Sequence, residues 1–167
     1  DRTITFPDSS FTVPTSGGLT TASQWRLTAD FTGTATPIAS NLEEADAPVG
    51  FGVLGSSMAE SSGIFTFPST GYWLVVFEAM VDGSAHSHGV IDISTTTDNS
   101  TYAKAAEGRA VAYYGYGNPT CSFVQDVSDV TQDKVQFNVN NSGATITTRG
   151  DTAVNETSMT FTKLADR

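Results

Sequence analysis

His86 and His88 lie two residues apart, so on an extended chain both imidazoles point to one face. Such a pair is half of a tetrahedral metal site, and copies of the chain meeting at an axis could supply the rest. No CxxC or HExxH spacing accompanies them, and Asp82-Gly83-Ser84 just ahead is a turn signal. A solvated strand start is the plainer reading, and no metal site is expected. Glu43, Glu44 and Asp46 offer carboxylates for Ca²⁺ or for glycoside cleavage. Their spacing supplies only part of a calcium loop, so they read first as an acidic surface loop over Asn41–Pro48, open to a ligand. Asp126, Asp129 and Asp133 mark another acidic turn, which Asp133 is expected to close. Cys121 with either histidine is formally a nucleophile and a base, but it opens an apolar run and reads as a small buried hydrophobe.

No phosphate-cradling loop, nucleophile elbow or dinucleotide fingerprint occurs, so neither an enzyme nor a cofactor is expected. The segment Tyr113-Tyr114-Gly115-Tyr116-Gly117-Asn118 has the composition of adaptable binding surfaces and of aromatic sugar platforms. The competing reading, which is preferred, packs alternate tyrosines between subunits and leaves Tyr116 capping a turn. Glu43, Glu44, Asp46, Tyr116 and Asn118 are therefore the candidate ligand contacts. Asn99-Ser100-Thr101, Asn140-Asn141-Ser142 and Asn155-Glu156-Thr157 match the glycosylation pattern, which matters only in a eukaryotic secreted protein.

The elements that must hold these residues are short strands. The chain has 167 residues with 8 basic and 18 acidic side chains, a net charge of −10. That is a one-domain length, and the charge repels phosphate backbones, so nucleic acid is excluded as a partner. Tyr72–Val81 is the longest apolar run, carries Glu78, and is about half of the roughly 20 residues a membrane helix needs. Thr (25) and Ser (18) dominate over Lys (3), a composition that favours strands and turns.

Residues 1–23, with Pro7, Pro14 and Thr15-Ser16-Gly17-Gly18, read as a linker or anchor segment, and residues 24–167 as the folded domain. Because the chain starts at Asp1 rather than Met, it is expected to be a processed or excised piece, or the end of a longer chain. Trp25, Leu27, Ala29 and Phe31 alternate with Arg26, Thr28 and Asp30, the pattern of a half-buried strand. Phe51–Leu54 and Ile64–Phe67 are further strands, the latter closed by the turn Pro68-Ser69-Thr70-Gly71.

Tyr72–Val81 is apolar on both faces except at Glu78, so both faces should be covered. Glu78 should meet Arg109, Arg26 or a hydroxyl, or sit at the strand's exposed end. His88–Ile93, Arg109–Tyr116, Ser122–Val127, Lys134–Val139, Thr145–Thr148 and Ser158–Leu164 complete eight to ten strands, with weak helical character only at Ala103–Glu107. Even spacing of that many strands predicts an all-β antiparallel fold, a sandwich or a jelly roll.

The stretch Ser62-Gly63-Ile64-Phe65-Thr66-Phe67-Pro68-Ser69-Thr70-Gly71-Tyr72-Trp73 resembles the core signature of the complement q-type globular head, a family that shares a ten-strand jelly roll with tumour necrosis factor. Gln132-Asp133-Lys134-Val135-Gln136-Phe137 resembles a later strand of the same pattern, although glycine is expected at Gln132. Ser158–Leu164 resembles the closing strand, altered at Lys163. The resemblance covers residues 24–165 and implies a tight homotrimer. The wording around Gln24-Trp25-Arg26-Leu27 and Ser61–Gly71 also resembles domains of marine bacteriophage virion proteins.

A covered second face on Tyr72–Val81 argues separately for a trimer, since an exposed apolar stripe marks an interface. The expected interface residues are Tyr72, Leu74, Val76, Glu78, Met80 and Tyr114. The resulting expectation is a non-enzymatic trimeric module on a virion surface or otherwise extracellular: a head fibre, capsid decoration or tail-fibre knob. It would attach to a capsid or tail protein through residues 1–23 and adhere to a host glycan or receptor through Asn41–Pro48, Asp98–Lys104 and Tyr116–Thr120. The alternative is a secreted ligand of complement-head or tumour necrosis factor kind, or a lectin-like module.

Overall fold

The computed structural model describes residues 18–46, 53–83, 87–112, 114–141 and 146–167. Among these, fourteen strands follow one another: β1 (Ala22–Leu27), β2 (Phe31–Thr32), β3 (Leu42–Glu44), β4 (Ala59–Ser61), β5 (Ile64–Thr66), β6 (Gly71–Glu78) and β7 (Val81–Gly83) in the first half, then β8 (Ser87–Thr96), β9 (Ala103–Ala112), β10 (Gly115–Gly117), β11 (Thr120–Val127), β12 (Lys134–Val139), β13 (Thr147–Thr148) and β14 (Ser158–Ala165). The chain is an all-β antiparallel sandwich, as its strand count and alternation predict.

One sheet has the order β3-β1-β14-β6-β11, the facing sheet β4-β5-β12-β8-β9, and a small third sheet β10-β7-β13-β2 closes one end. Between the two large sheets lie rings from distant parts of the sequence. Phe65 stands edge-on to Phe137 at 5.3 Å and to Trp25 at 5.4 Å, and Phe137 meets Phe77 at 5.1 Å and Phe161 at 5.7 Å. Each of these four phenylalanines is at most 1% exposed. Burial and edge-on geometry together make this cluster the main stabilising contact between the sheets.

The Ser62–Trp73 signature is a folding device. Ser62 (φ 53°) and Gly63 (φ 82°) form the two-residue turn between β4 and β5, the left-handed pair that a tight hairpin needs. A Cβ at Gly63 would lie 2.3 Å from the Ile38 carbonyl oxygen, so only glycine fits. Phe67 and Trp73 then pack at 5.4 Å, and the Trp73 indole N–H donates to the Ser69 carbonyl at 3.1 Å. On the side where β9 passes β11, a Cβ at Gly108 would stand 2.4 Å from the Thr120 carbonyl oxygen, so the bare glycine lets the two edges close.

Several expectations are corrected. Ala103–Glu107 is not helical but part of β9, where pairing to β8 overrides the alanines' helix preference. The acidic stretch is not simply a loop, because Leu42–Glu44 pairs with β1. Tyr116 is not in a loop either, since it lies in β10 opposite Asp82. The Tyr72–Val81 run is not one strand: it breaks at Ala79-Met80 and re-enters as β7 in the small sheet.

Within the chain, β6 is covered on one face only, with Trp73, Val75 and Phe77 buried while Tyr72 and Glu78 are exposed. The strand buried on both faces is β12. Residues 1–17, Pro48, Phe51, His86 and Tyr113 lie outside the described residues. Of the segment read as a linker, Ala22 and Ser23 are already paired in β1, while the linker reading of residues 1–17 and the paired-histidine reading rest on sequence alone.

Candidate functional site

The expected interface residues of β6 share one surface. Alternation along the strand turns Tyr72, Leu74, Val76 and Glu78 away from the core. Their neighbours follow from register: Asp126, Val124, Ser122 and Thr120 on β11, and Ala165, Thr162, Thr160 and Ser158 on β14. The outward surface is therefore an apolar stripe of Tyr72, Leu74, Val76 and Val124 flanked by threonines. Tyr72 is 41% and Val124 50% exposed. Glu78 sits at the solvent end of β6, so it takes the second of its two expected placements. Neither expected arginine reaches it: Arg109 pairs with Glu107 at 2.5 Å, and Arg26 is engaged elsewhere.

The register does not stop at the end of β6. Glu78 stands opposite Thr120, the Ala79 amide donates to the Pro119 carbonyl at 3.1 Å, Val81 stands opposite Gly117, and Asp82 opposite Tyr116. β6–β7 and β10–β11 thus form one continuous two-stranded ribbon although the strands belong to different sheets. Its inner positions, Ala79 and Val81, are buried. The outer positions continue the stripe as Glu78, Met80 and Asp82 against Thr120, Asn118 and Tyr116. Tyr116 is 62% exposed, and Asn118 is exposed beside it. Tyr114 lies apart, in the left-handed turn between β9 and β10 at φ 47°, and does not join the β6 ladder.

Glu43 and Asp46 are occupied differently from the sequence expectation. The Arg26 side chain is fully buried, its Nε donating to Glu43 at 2.8 Å and an Nη to Asp46 at 2.6 Å. Two carboxylates on one guanidinium clamp the edge strand β3 to β1, a structural task. Glu44 accepts from the Ser57 hydroxyl. Strand alternation places Arg26 opposite Trp25 and Leu27, but alternation alone gives no sign that it would be buried. The signal that was available is an arginine inside an apolar strand with an acidic run to follow.

Asp133 closes its turn as expected, accepting from the Ser128 amide at 2.6 Å and the Asp129 amide at 2.8 Å. The Cys121 thiol is pushed up to about 11, first by burial and then by the charge of Asp92, so it is protonated and unreactive at neutral pH. His88 is exposed on β8 opposite Val111. Among the described residues no group of three or more His, Cys, Asp or Glu side chains is placed to hold a metal ion. No described helix is long and apolar enough to cross a membrane.

A buried polar network that the sequence did not reveal lies on the outer side of β8 and β12. Asp92, 2% exposed, accepts from the Asn138 amide at 2.7 Å, the Asn140 amide at 2.8 Å and the Ser94 hydroxyl at 2.8 Å. Lys104 stands 3.6 Å from its carboxylate.

No protein-family model and no curated protein matches the chain. Solved structures do. Murine APRIL at pH 5.0 superposes with a TM-score of 0.63 at 11% identity, over 86% of this chain and 98% of that one. The structure of Eiger TNF from S. frugiperda superposes with a TM-score of 0.63 at 12% identity, over 87% of this chain and 93% of that one. Identities of this size speak for the fold. The complement q-type and virion parts of the resemblance have no counterpart among these matches. In fold, the chain is a jelly roll of tumour necrosis factor type.

Proposed function

We propose that the chain is a non-enzymatic, extracellular ligand domain of tumour necrosis factor-like kind that works as a homotrimer. The observation that carries this reading is the apolar stripe Tyr72, Leu74, Val76 and Val124 on the outward face of a central sheet. Its residues are contiguous, their apolar surface gains by leaving water, and a closed three-fold assembly gives each copy the same cover. Met80 and Glu78 lie where the stripe ends, and Tyr114 stands apart from it in the β9–β10 turn. The fold shared with the tumour necrosis factor-type structures supports the same assembly, as does the homotrimer implied by the sequence resemblance.

Light scattering on the purified chain tests the reading. A homotrimer gives about three times 17.6 kDa at micromolar concentration. Replacing both Leu74 and Val76 with Ser should give a folded monomer. A wild-type chain that is itself a well-folded monomer would overturn the proposal.

A further inference from the structure

Every described aspartate and glutamate except two is held by an ion pair or a hydrogen bond, whether to a cation, to a hydroxyl or to the backbone of its own turn. The two exceptions are Glu78 and Asp82. Among the described residues no hydrogen bond or ion pair reaches either carboxylate. They are also neighbours: the continuous ribbon register puts both on one face, separated only by Met80. Across the ladder on the same face stand Thr120, Asn118 and Tyr116, all exposed. The ladder also brings Arg149 alongside, its amide donating to the Met80 carbonyl at 2.9 Å. That guanidinium is committed to Asp30 and lies 3.9 Å from Glu156. So the two carboxylates that lack a counter-charge share a face with an exposed aromatic ring.

We propose that this end of the ribbon docks an arginine- or lysine-bearing segment of a partner protein. A guanidinium placed here gains ion pairs from Glu78 and Asp82 and a cation–π contact from Tyr116, while Asn118 and Thr120 accept its remaining donors. The long-range field has the same sign, because the chain carries −10. Phosphorylated or sulfated ligands are repelled. A neutral sugar would use the ring and the amide but leave both charges without a counter-ion, so the basic segment fits better. The face lies at the rim of the apolar stripe, and the inference does not depend on the trimer.

The probe is a short labelled peptide of alternating arginine and glycine, followed by fluorescence anisotropy and by amide NMR shifts on the whole chain. Shifts should concentrate on residues 78–82 and 116–120. Glu78→Gln with Asp82→Asn should weaken binding at least about tenfold, and Tyr116→Ala about threefold. The charge-matched pair Glu44→Gln with Asp166→Asn should leave it within about twofold, because these acids lie elsewhere and only the general field changes. The Leu74→Ser, Val76→Ser chain should still bind the peptide, so a failed trimer and a failed docking face give different results. Equal weakening by both charge-matched pairs, shifts spread over the other acids, or no binding at all would overturn the proposal. A neutral cello-oligosaccharide that shifts these amides in preference to the peptide would overturn it in favour of a glycan.

Discussion

Strands β6 and β12 are interior strands of the two facing sheets and solve opposite problems. The β6 sequence is apolar on both faces, yet the chain covers only one of them and leaves Tyr72, Leu74 and Val76 outward. The β12 sequence alternates between Val135, Phe137, Val139 and Lys134, Gln136, Asn138, the pattern of a strand with one wet face, yet every residue in it is buried. The difference lies in what satisfies the second face. On β12 the polar side is closed by hydrogen bonds within the chain: the Asn138 amide donates to Asp92 at 2.7 Å and to Ser94 at 3.0 Å, and the Gln136 amide reaches the Asn138 oxygen at 3.3 Å. A polar face can be buried once its partners are fixed. An apolar face makes no such local bonds and is covered only by more surface, which the single chain does not supply for β6. Apolarity on both faces of a strand therefore points to a partner, and alternation does not guarantee water.

The largest effect expected is on the face that both strands share. Phe137→Ala removes the ring that meets Phe65, Phe77 and Phe161, and should cost about 3–5 kcal/mol in urea unfolding. A loss below about 1 kcal/mol would mean that the core rests elsewhere. On the polar side of β12, Asn138→Ala leaves the buried Asp92 carboxylate short of a donor and should cost about 1–3 kcal/mol by the same measurement. If that variant is as stable as the wild type, the polar face of β12 is not held by its network, and the contrast with β6 fails.

The outward side of β6 should behave in reverse. Leu74→Ser with Val76→Ser should change the mass from trimer to monomer while altering the chain's own unfolding by about 1 kcal/mol or less. Loss of folding along with loss of the trimer would show that this stripe belongs to the core of the chain.

The part of this arrangement that is periodic was legible in the sequence. Trp73, Val75 and Phe77 against Tyr72, Leu74 and Val76 give the strand and its two faces, and Pro68-Ser69-Thr70-Gly71 gives the turn that leads into it. What could not be read was pairing at a distance. Arg26 and Glu43 are 17 residues apart and Asn138 and Asp92 are 46 apart, so the partners that make a buried charge tolerable are invisible until the strands are registered. The same holds for Asp82, which reads as a turn residue beside His86 and His88 until the ladder sets it opposite Tyr116. Ala103–Glu107 failed for the related reason that local preference lost to pairing with β8.

The smallest effect expected lies where the polar side of β8 and β12 runs out into solvent. Thr96, 2% exposed, is paired with Lys134, and its hydroxyl donates to the Asp98 carboxylate at 2.7 Å. The same carboxylate accepts from the Thr101 amide at 2.7 Å and the Ser100 amide at 2.9 Å, so it ties the β8–β9 tip to the end of the buried network. The Thr101 amide first, then the Thr96 hydroxyl and the Ser100 amide, hold this carboxyl well below its ordinary value of 3.8. A carboxyl depressed in the folded chain stabilises it fully above the unfolded value, and that contribution is lost as pH falls through the lower folded value. Asp98→Asn keeps an oxygen for the amides but gives up the charge. Its melting temperature should therefore lie slightly below that of the wild type at pH 6, by a gap that is constant down to about pH 5 and narrows as the pH falls below the ordinary carboxyl range. Melting curves of both chains from pH 7 to pH 2 measure that gap. A gap that persists unchanged at the acid end would assign the loss to altered tip geometry instead of charge, and would detach the tip from the network that closes the second face of β12.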